Sequence, residues 1–341
     1  MSPRGFHRWF PYRLEQVAGK LACRWLYAGA MPFSHPFFEE SSLRWLELPE
    51  NSFGPPRYTH LDQLLEIADG LDTLEPTAFV FHVSRCGSTL LSQLLALDES
   101  CVMLSEVPFF DELLRARFNP LLPNQSDLAA LLPAAIRLHA QIRSGHERSV
   151  IVKLDSWHTA FYPELRALFP KTPFILLYRE PLAILRSHRN QPGMQAVPGL
   201  LEPALFGFDP AVPVQRAEHL QRVLGFFYER FLEIAQNDRL ALLVPYAADM
   251  IPAIGSIARF LRIELTPAQL EAMRVRSLFH SKRPTEGFHE PLDCYPQLPN
   301  LQACYEALTR YQQTTLDNND HTRAVFANSV GSATTAVVRS R

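Results

Sequence analysis

The run FVFHVSRCGSTLLSQLL, residues 79–95, constrains the fold more than any other stretch of the chain. It reads as a buried strand, a tight glycine loop and a helix start. In that order the three make a phosphate cradle, because loop N–H groups and the positive end of the helix converge on one anion. Gly87 admits a close backbone approach, Ser88 and Thr89 offer hydroxyl donors, and Arg85 brings charge. The loop departs from the nucleoside-triphosphatase pattern G-x-x-x-x-G-K-[ST]. His82 stands where the first glycine would be, Ser88 replaces the lysine, and the cation lies two residues before Gly87. A Gly-Ser-Thr turn ahead of a helix also serves plain capping, so the loop needs support from elsewhere in the chain.

That support begins with the alternation of elements. Short apolar runs at 77–83, 101–106, 149–155, 172–180 and 240–246 read as buried strands. Between and after them, helical patterns cover 89–97, a stretch from Pro108, 127–145 up to Gly145, 161–170, 181–190, 214–236 and 251–263. The expected fold is α/β, a three-layer P-loop-type core with a parallel sheet flanked by helices. Ligands of such sheets bind beyond the carboxyl ends of the strands. Residues 1–75 are expected to form a mostly helical, irregular N-terminal extension packed on the core, which runs from 76 to 318. The Pro/Gly/Phe-rich segment 191–213 is expected to be an acceptor-site loop, 277–298 a second loop, and 319–341 a flexible tail.

Bulk properties narrow the function. With 341 residues the chain has room for one large α/β domain, and a net charge of −2 without any Lys/Arg run argues against a nucleic-acid partner. Five scattered cysteines (23, 86, 101, 294 and 304) form no C-x-x-C pair, which favours free thiols in a reducing, cytoplasmic setting. No apolar run is long enough for a membrane span, and the basic, aromatic N-terminus reads as mature protein rather than a signal peptide.

Three further motifs follow strands. Arg179 ends ILLYRE, and Ser187 lies eight residues on, two turns along the next helix and on the same side. The planar fork of an arginine suits bidentate phosphate binding; a salt bridge with Glu180 is the simpler role. Lys153 ends the strand before D-S-W-H, with Asp155 as an ordinary ion-pair partner. Glu106 closes MLSE just before Pro108, where a helix dipole also favours a carboxylate.

Together these motifs resemble sulfotransferases that use 3′-phosphoadenosine 5′-phosphosulfate (PAPS), across residues 77–283, with spacing most similar to the tyrosylprotein and membrane types. The resemblance implies that Arg85, Cys86, Gly87, Ser88 and Thr89 form the 5′-phosphosulfate loop, and that Arg179 and Ser187 hold the 3′-phosphate. It implies Lys153 at the transferring sulfonate and Glu106 as general base, with Asp155 and His158 as rivals for that proton. Arg85 and Lys153 count with Glu106 as catalytic. Tyr246 would lie near the adenine, and Ser281, Lys282 and Arg283 in a late loop over the nucleotide. Cys86 takes the place of a small residue in the loop and is expected to pack. The implied reaction moves a sulfonate from PAPS to a hydroxyl or amine, leaves 3′,5′-adenosine bisphosphate and needs no metal. The aromatic N-terminus and Leu205, Phe206 and Phe208 suggest an apolar or aromatic small-molecule acceptor, with a glycan or peptide open. The rival readings are an ATP-dependent kinase on the same core, which the missing loop lysine disfavours, and a non-catalytic binding module.

Overall fold

The structure, a computed structural model, describes residues 2–31, 33, 35–119, 128–212, 214–247, 249–279 and 299–315. The chain opens with an antiparallel hairpin, β1 (Trp9–Val17) and β2 (Lys20–Tyr27). Its turn residues Ala18 and Gly19 both have positive φ, 49° and 76°, as a two-residue hairpin turn that matches strand twist requires. Helices α1 (Phe38–Leu46) and α2 (Pro49–Ser52) follow, then β3 (Arg57–His60), which pairs with β2, and α3 (Gln63–Asp69). The expectation of a mostly helical extension is therefore corrected: a three-stranded antiparallel sheet organises it. The polar residues of YRLEQV hide the strand, because Arg13 is spent on the core and Glu15 on Arg24 and Tyr58 of the neighbouring strands, and not on solvent. Glu112 of the core accepts from the Leu14 backbone N–H at 2.6 Å and from Arg13 at 3.2 Å. Trp25 donates to Thr59 at 2.9 Å and fixes β2 to β3.

The core alternates strand and helix: β4 (Ala78–His82), α4 (Ser88–Leu95), β5 (Cys101–Ser105), α5 (Pro108–Arg115), α6 (Leu132–His139), β6 (Ser149–Lys153), α7 (Tyr162–Leu168), β7 (Phe174–Tyr178), α8 (Pro181–Asn190), α9 (Arg216–Asn237), β8 (Ala241–Pro245), α10 (Ile251–Leu261) and α11 (Pro267–Ser277). The five strands form one parallel sheet in the order β5-β6-β4-β7-β8. β4 sits at its centre, and all five of its residues are buried. That burial explains why it reads as an unbroken apolar run rather than an alternating one. Helices flank the sheet, and the α/β core expected from the alternation is what forms.

One boundary differs from the sequence reading, and one helix falls where that reading assigned nothing. α6 stops at His139, ahead of Gly145, because the next residues turn to bridge the segment around Thr73: Leu74 N–H donates to Ala140 O and Ile142 N–H to Asp72 O. α11 is started by a reciprocal capping box between Thr266 and Gln269, a local signal strong enough to nucleate a helix. Residues 299–315 are also helical. No helix among the described residues is long and apolar enough to cross a membrane. Cys23, Cys86, Cys101 and Cys304 are free thiols.

Candidate active site

The candidate phosphate loop leaves β4 in a backbone conformation that few side chains tolerate. Ser84 and Arg85 have φ of 65° and 49°, and Gly87 has 80°. Non-glycine residues held there cost roughly 1–3 kcal/mol each, so the surroundings must impose the shape. Several contacts do so. The Ser84 N–H donates to His82 Nδ1 at 3.2 Å, and Ser84 Oγ lies 3.2 Å from Nε2 of buried His188. The Gly193 N–H donates to His188 Nδ1, so the His188 proton sits on Nε2, facing Ser84. Arg179 Nη1 donates to the Arg85 carbonyl at 3.0 Å. Gly87 is dictated by contact as well as by φ: a Cβ there would meet the Tyr246 ring at 2.6 Å.

The helix that follows starts at Ser88 with Gly87 as its cap, which leaves the N–H groups of its first turn without helical partners. Ser88 is buried and Thr89 half-buried at this opening. The Cys86 thiol turns inward to the Leu177 carbonyl at 3.4 Å, and burial pushes it up to about 12. Its contribution to the loop is packing and a backbone N–H, in line with the expected packing role. Arg85 swings across to the carbonyl of Gln191, at the end of α8.

Arg179 ties the end of β7 to this loop. Besides its bond to Arg85, its guanidinium lies 4.3 Å from the centre of the Tyr246 ring, and its own carbonyl accepts from Tyr228 at 2.6 Å. Glu180 spends both carboxylate oxygens on the start of α8, accepting from Leu182 N–H at 2.9 Å and Ala183 N–H at 2.8 Å. Ser187 is half-buried further along that helix, beside His188. Arg85, Gly87, Arg179 and Tyr246 thus form one contiguous surface at the carboxyl ends of β4, β7 and β8. Ser281, Lys282 and Arg283 lie outside the described residues.

Lys153 and Glu106 meet on the other side of β4. Lys153 is 1% exposed, and its Nζ donates to Glu106 Oε1 at 2.7 Å. His82 Nε2 lies 3.3 Å from the same oxygen, in poor hydrogen-bond alignment. Burial alone would raise the Glu106 carboxyl, yet the Lys153 charge and His82 outweigh it and hold the carboxyl well below its usual range. The Glu106 backbone has φ 54°, and its N–H extends the sheet ladder to the Lys153 carbonyl at 2.8 Å. From the N-terminal extension the Phe37 ring covers Lys153, with Nζ 5.0 Å from its centre.

Next to this pair stands a second cluster. His158 Nε2 is 2.8 Å from Asp111 Oδ1, which also accepts from Trp157 at 2.7 Å; Asp111 Oδ2 accepts from Arg115 at 3.0 Å. Arg115 in turn makes a two-pronged pair with Glu202 at 2.9 and 3.1 Å. Among the described residues, Asp111, Asp155 and His158 bring one potential ligand atom each within 4.8 Å. Trp157, His158 and Arg115 already occupy the Asp111 carboxylate, so a cation bound there would have to displace them.

Asp111, Arg115 and Glu202 also line an open cleft of about 490 Å³, together with Leu14 and Leu21 of the hairpin. The 191–213 loop reaches this cleft through Glu202. Its apolar residues do not: Leu205 and Phe206 are buried, and Phe206 packs on Phe226 and Phe227 of α9. Buried Leu205 and Phe206 do not face an acceptor, so the expectation of an apolar or aromatic acceptor loses these two side chains as its support.

Sequence reasoning missed Phe37, Asp111 and His188, and saw His82 only as a departure from a motif. His82 carried one usable signal, its place at the end of a buried strand. The others have partners far away in sequence.

No family model and no curated protein matches the chain. Among solved structures, the chain is similar to a sulfotransferase domain from the curacin biosynthetic pathway, at 16% identity over 70% of this chain and 99% of that one, with a TM-score of 0.42. It is similar to a sulfotransferase domain from the Synechococcus PCC 7002 olefin synthase, at 15% identity over 70% and 95%, TM-score 0.43. A Mycobacterium avium sulfotransferase matches at 15% over 74% and 79%, TM-score 0.41. Likeness this distant assigns no activity, and the chemistry has to come from the site itself.

Proposed function

We propose that this protein transfers the sulfonate of PAPS to an acceptor hydroxyl or amine. One observation carries the reading: Arg179 donates directly to the backbone of the phosphate loop at Arg85, so the two phosphate motifs form one rigid frame. A nucleotide with phosphates at both 5′ and 3′ positions would engage both halves. The N–H groups at the start of α4, with Ser88 and Thr89, would hold the 5′ end. Arg179 and Ser187 would hold the 3′-phosphate, and Tyr246, pressed on Gly87, would flank the base. Arg85 and Lys153 would offset the negative charge that builds on the bridging oxygen as the S–O bond breaks. Glu106 or Asp155, the carboxylates near Lys153, would take the acceptor proton. The acceptor would approach through the cleft under the N-terminal hairpin, with hydroxyl-bearing small molecules as the class to screen. As in phosphoryl transfer, positioning and charge would do most of the work.

The test is thermal unfolding with 3′,5′-adenosine bisphosphate, ADP or ATP–Mg²⁺. Saturation at about 100-fold over Kd stabilises a fold by roughly 2.7 kcal/mol. A rise in Tm with the bisphosphate and little with the others is expected. A rise with ATP–Mg²⁺ alone would overturn the reading in favour of a kinase, and no rise with any ligand would favour a non-catalytic module.

A further inference from the structure

The acceptor side of the same site can be taken further, resting on the donor reading above. We propose that Asp155, backed by His158 and Asp111, takes the proton from the acceptor, and that Glu106 serves as the counter-ion that positions Lys153.

Three observations carry this. First, Glu106 is committed: its Oε1 faces Lys153 Nζ at 2.7 Å and His82 at 3.3 Å, the environment of a stabilised carboxylate and a weak base. Second, the Asp155 carboxylate accepts no hydrogen bond among the described residues; His158 Nδ1 lies 4.0 Å from its Oδ2, and an Asp111 carboxylate oxygen lies within 4.8 Å of the Asp155 carboxylate. Third, His158 is 1% exposed and oriented to receive a proton. An ionised Asp111 can only accept, so the 2.8 Å contact puts the His158 hydrogen on Nε2 and leaves the lone pair on Nδ1. That Nδ1 is buried without a partner. Buried polar atoms in native structures find partners, and a protonated Asp155 would supply this one. Catalytic contacts are often long before substrate binds, and a rotation of the Asp155 side chain would close the gap.

The groups facing Asp155 are Glu106 after β5, Asp111 and Arg115 of α5, Lys153 of β6 and His158 of the following turn. Burial first, then the charges of Glu106 and Asp111, push the Asp155 carboxyl well above its usual range despite Lys153 and Arg115. It is a stronger base than Glu106 for the same physical reasons. In the reaction the acceptor oxygen forms a bond to sulfur, and the S–O bond to the nucleotide breaks with its electron pair going to the phosphate oxygen. The acceptor proton passes to Asp155 and is shared with His158 Nδ1. The imidazolium so formed faces the Asp111 carboxylate, which Trp157 and Arg115 hold in place.

The test needs no identified acceptor. Binding of 3′,5′-adenosine bisphosphate is measured first; its absence in the wild type overturns the donor reading. Slow transfer from PAPS to water is read by release of the bisphosphate. Asp155→Asn and His158→Gln are each expected to lower it about 100-fold at unchanged bisphosphate affinity, with Asp155→Asn abolishing the acidic limb of the rate. Glu106→Gln is expected to keep that limb, moved to lower pH by loss of a neighbouring negative charge. A limb lost in Glu106→Gln and kept in Asp155→Asn would overturn the proposal.

Discussion

Gly87 bears the tightest steric demand in the site: φ of 80° and no room for a Cβ under the Tyr246 ring. Gly87→Ala should therefore destabilise the fold by about 1–3 kcal/mol and weaken bisphosphate binding at least tenfold. Denaturant unfolding and calorimetry would check the two effects, and a variant with wild-type values for both would refute the cradle geometry. Gly87, Arg85, Ser88 and Thr89 were legible because the motif is contiguous and its chemistry is local. Arg179 was legible because it ends a strand. His188 and Asp111 were not, for their partners are distant: His188 meets Ser84 across 104 residues, and Asp111 meets His158 across 47. Only the folded sheet brings them together. The pairing of Lys153 with Glu106 was equally invisible, although each was singled out for its own position after a strand.

At the scale of elements, the N-terminal sheet docks on α6 through an aromatic cluster with His139 inside it. The imidazole contacts Phe10, Phe38 and Phe110 and hydrogen-bonds the Ala135 carbonyl at 2.7 Å. Burial pushes His139 down to about 4 from its ordinary 6.5. The unfolded chain thus binds a proton that the folded one refuses between those values. The stability His139 contributes is full above pH 6.5 and falls as pH drops through the window to 4, by up to about 1.4 kcal/mol per pH unit for one proton. His139→Phe should flatten that slope in denaturant unfolding measured from pH 7 to 4, and equal slopes would contradict a neutral, buried His139. The central strands were readable as short apolar runs because they are buried on both faces. The hairpin was not, because half-buried strands with mixed polar faces lose the period-two signal. Its Ala-Gly turn also lacks the usual Asn-Gly or Asp-Gly mark. The end of α6 was misread because a tertiary bridge, and not Gly145, stops it.

Across the whole molecule, the strand order puts β4 between β6 and β7, so the loop after it has Lys153 on one side and Arg179 on the other. The proposed donor and acceptor chemistry would be divided by that central strand. The candidate phosphate groups gather toward β7 and β8, and the carboxylates, Lys153 and the cleft toward β5 and β6, with Phe37 over Lys153. The sequence showed that these motifs each follow a strand, but not which flank each one occupies, since strand order depends on crossovers that local pattern does not encode. The central claim is that the two phosphate motifs act on one nucleotide through Arg179. Its most direct measurement is calorimetric binding of 3′,5′-adenosine bisphosphate and ADP to the wild type and to Arg179→Ala. The account predicts that the wild type binds the bisphosphate at least 100-fold more tightly than ADP, and that Arg179→Ala collapses this ratio toward one while changing ADP affinity little. Equal affinities in the wild type, or a ratio that survives the substitution, would contradict it.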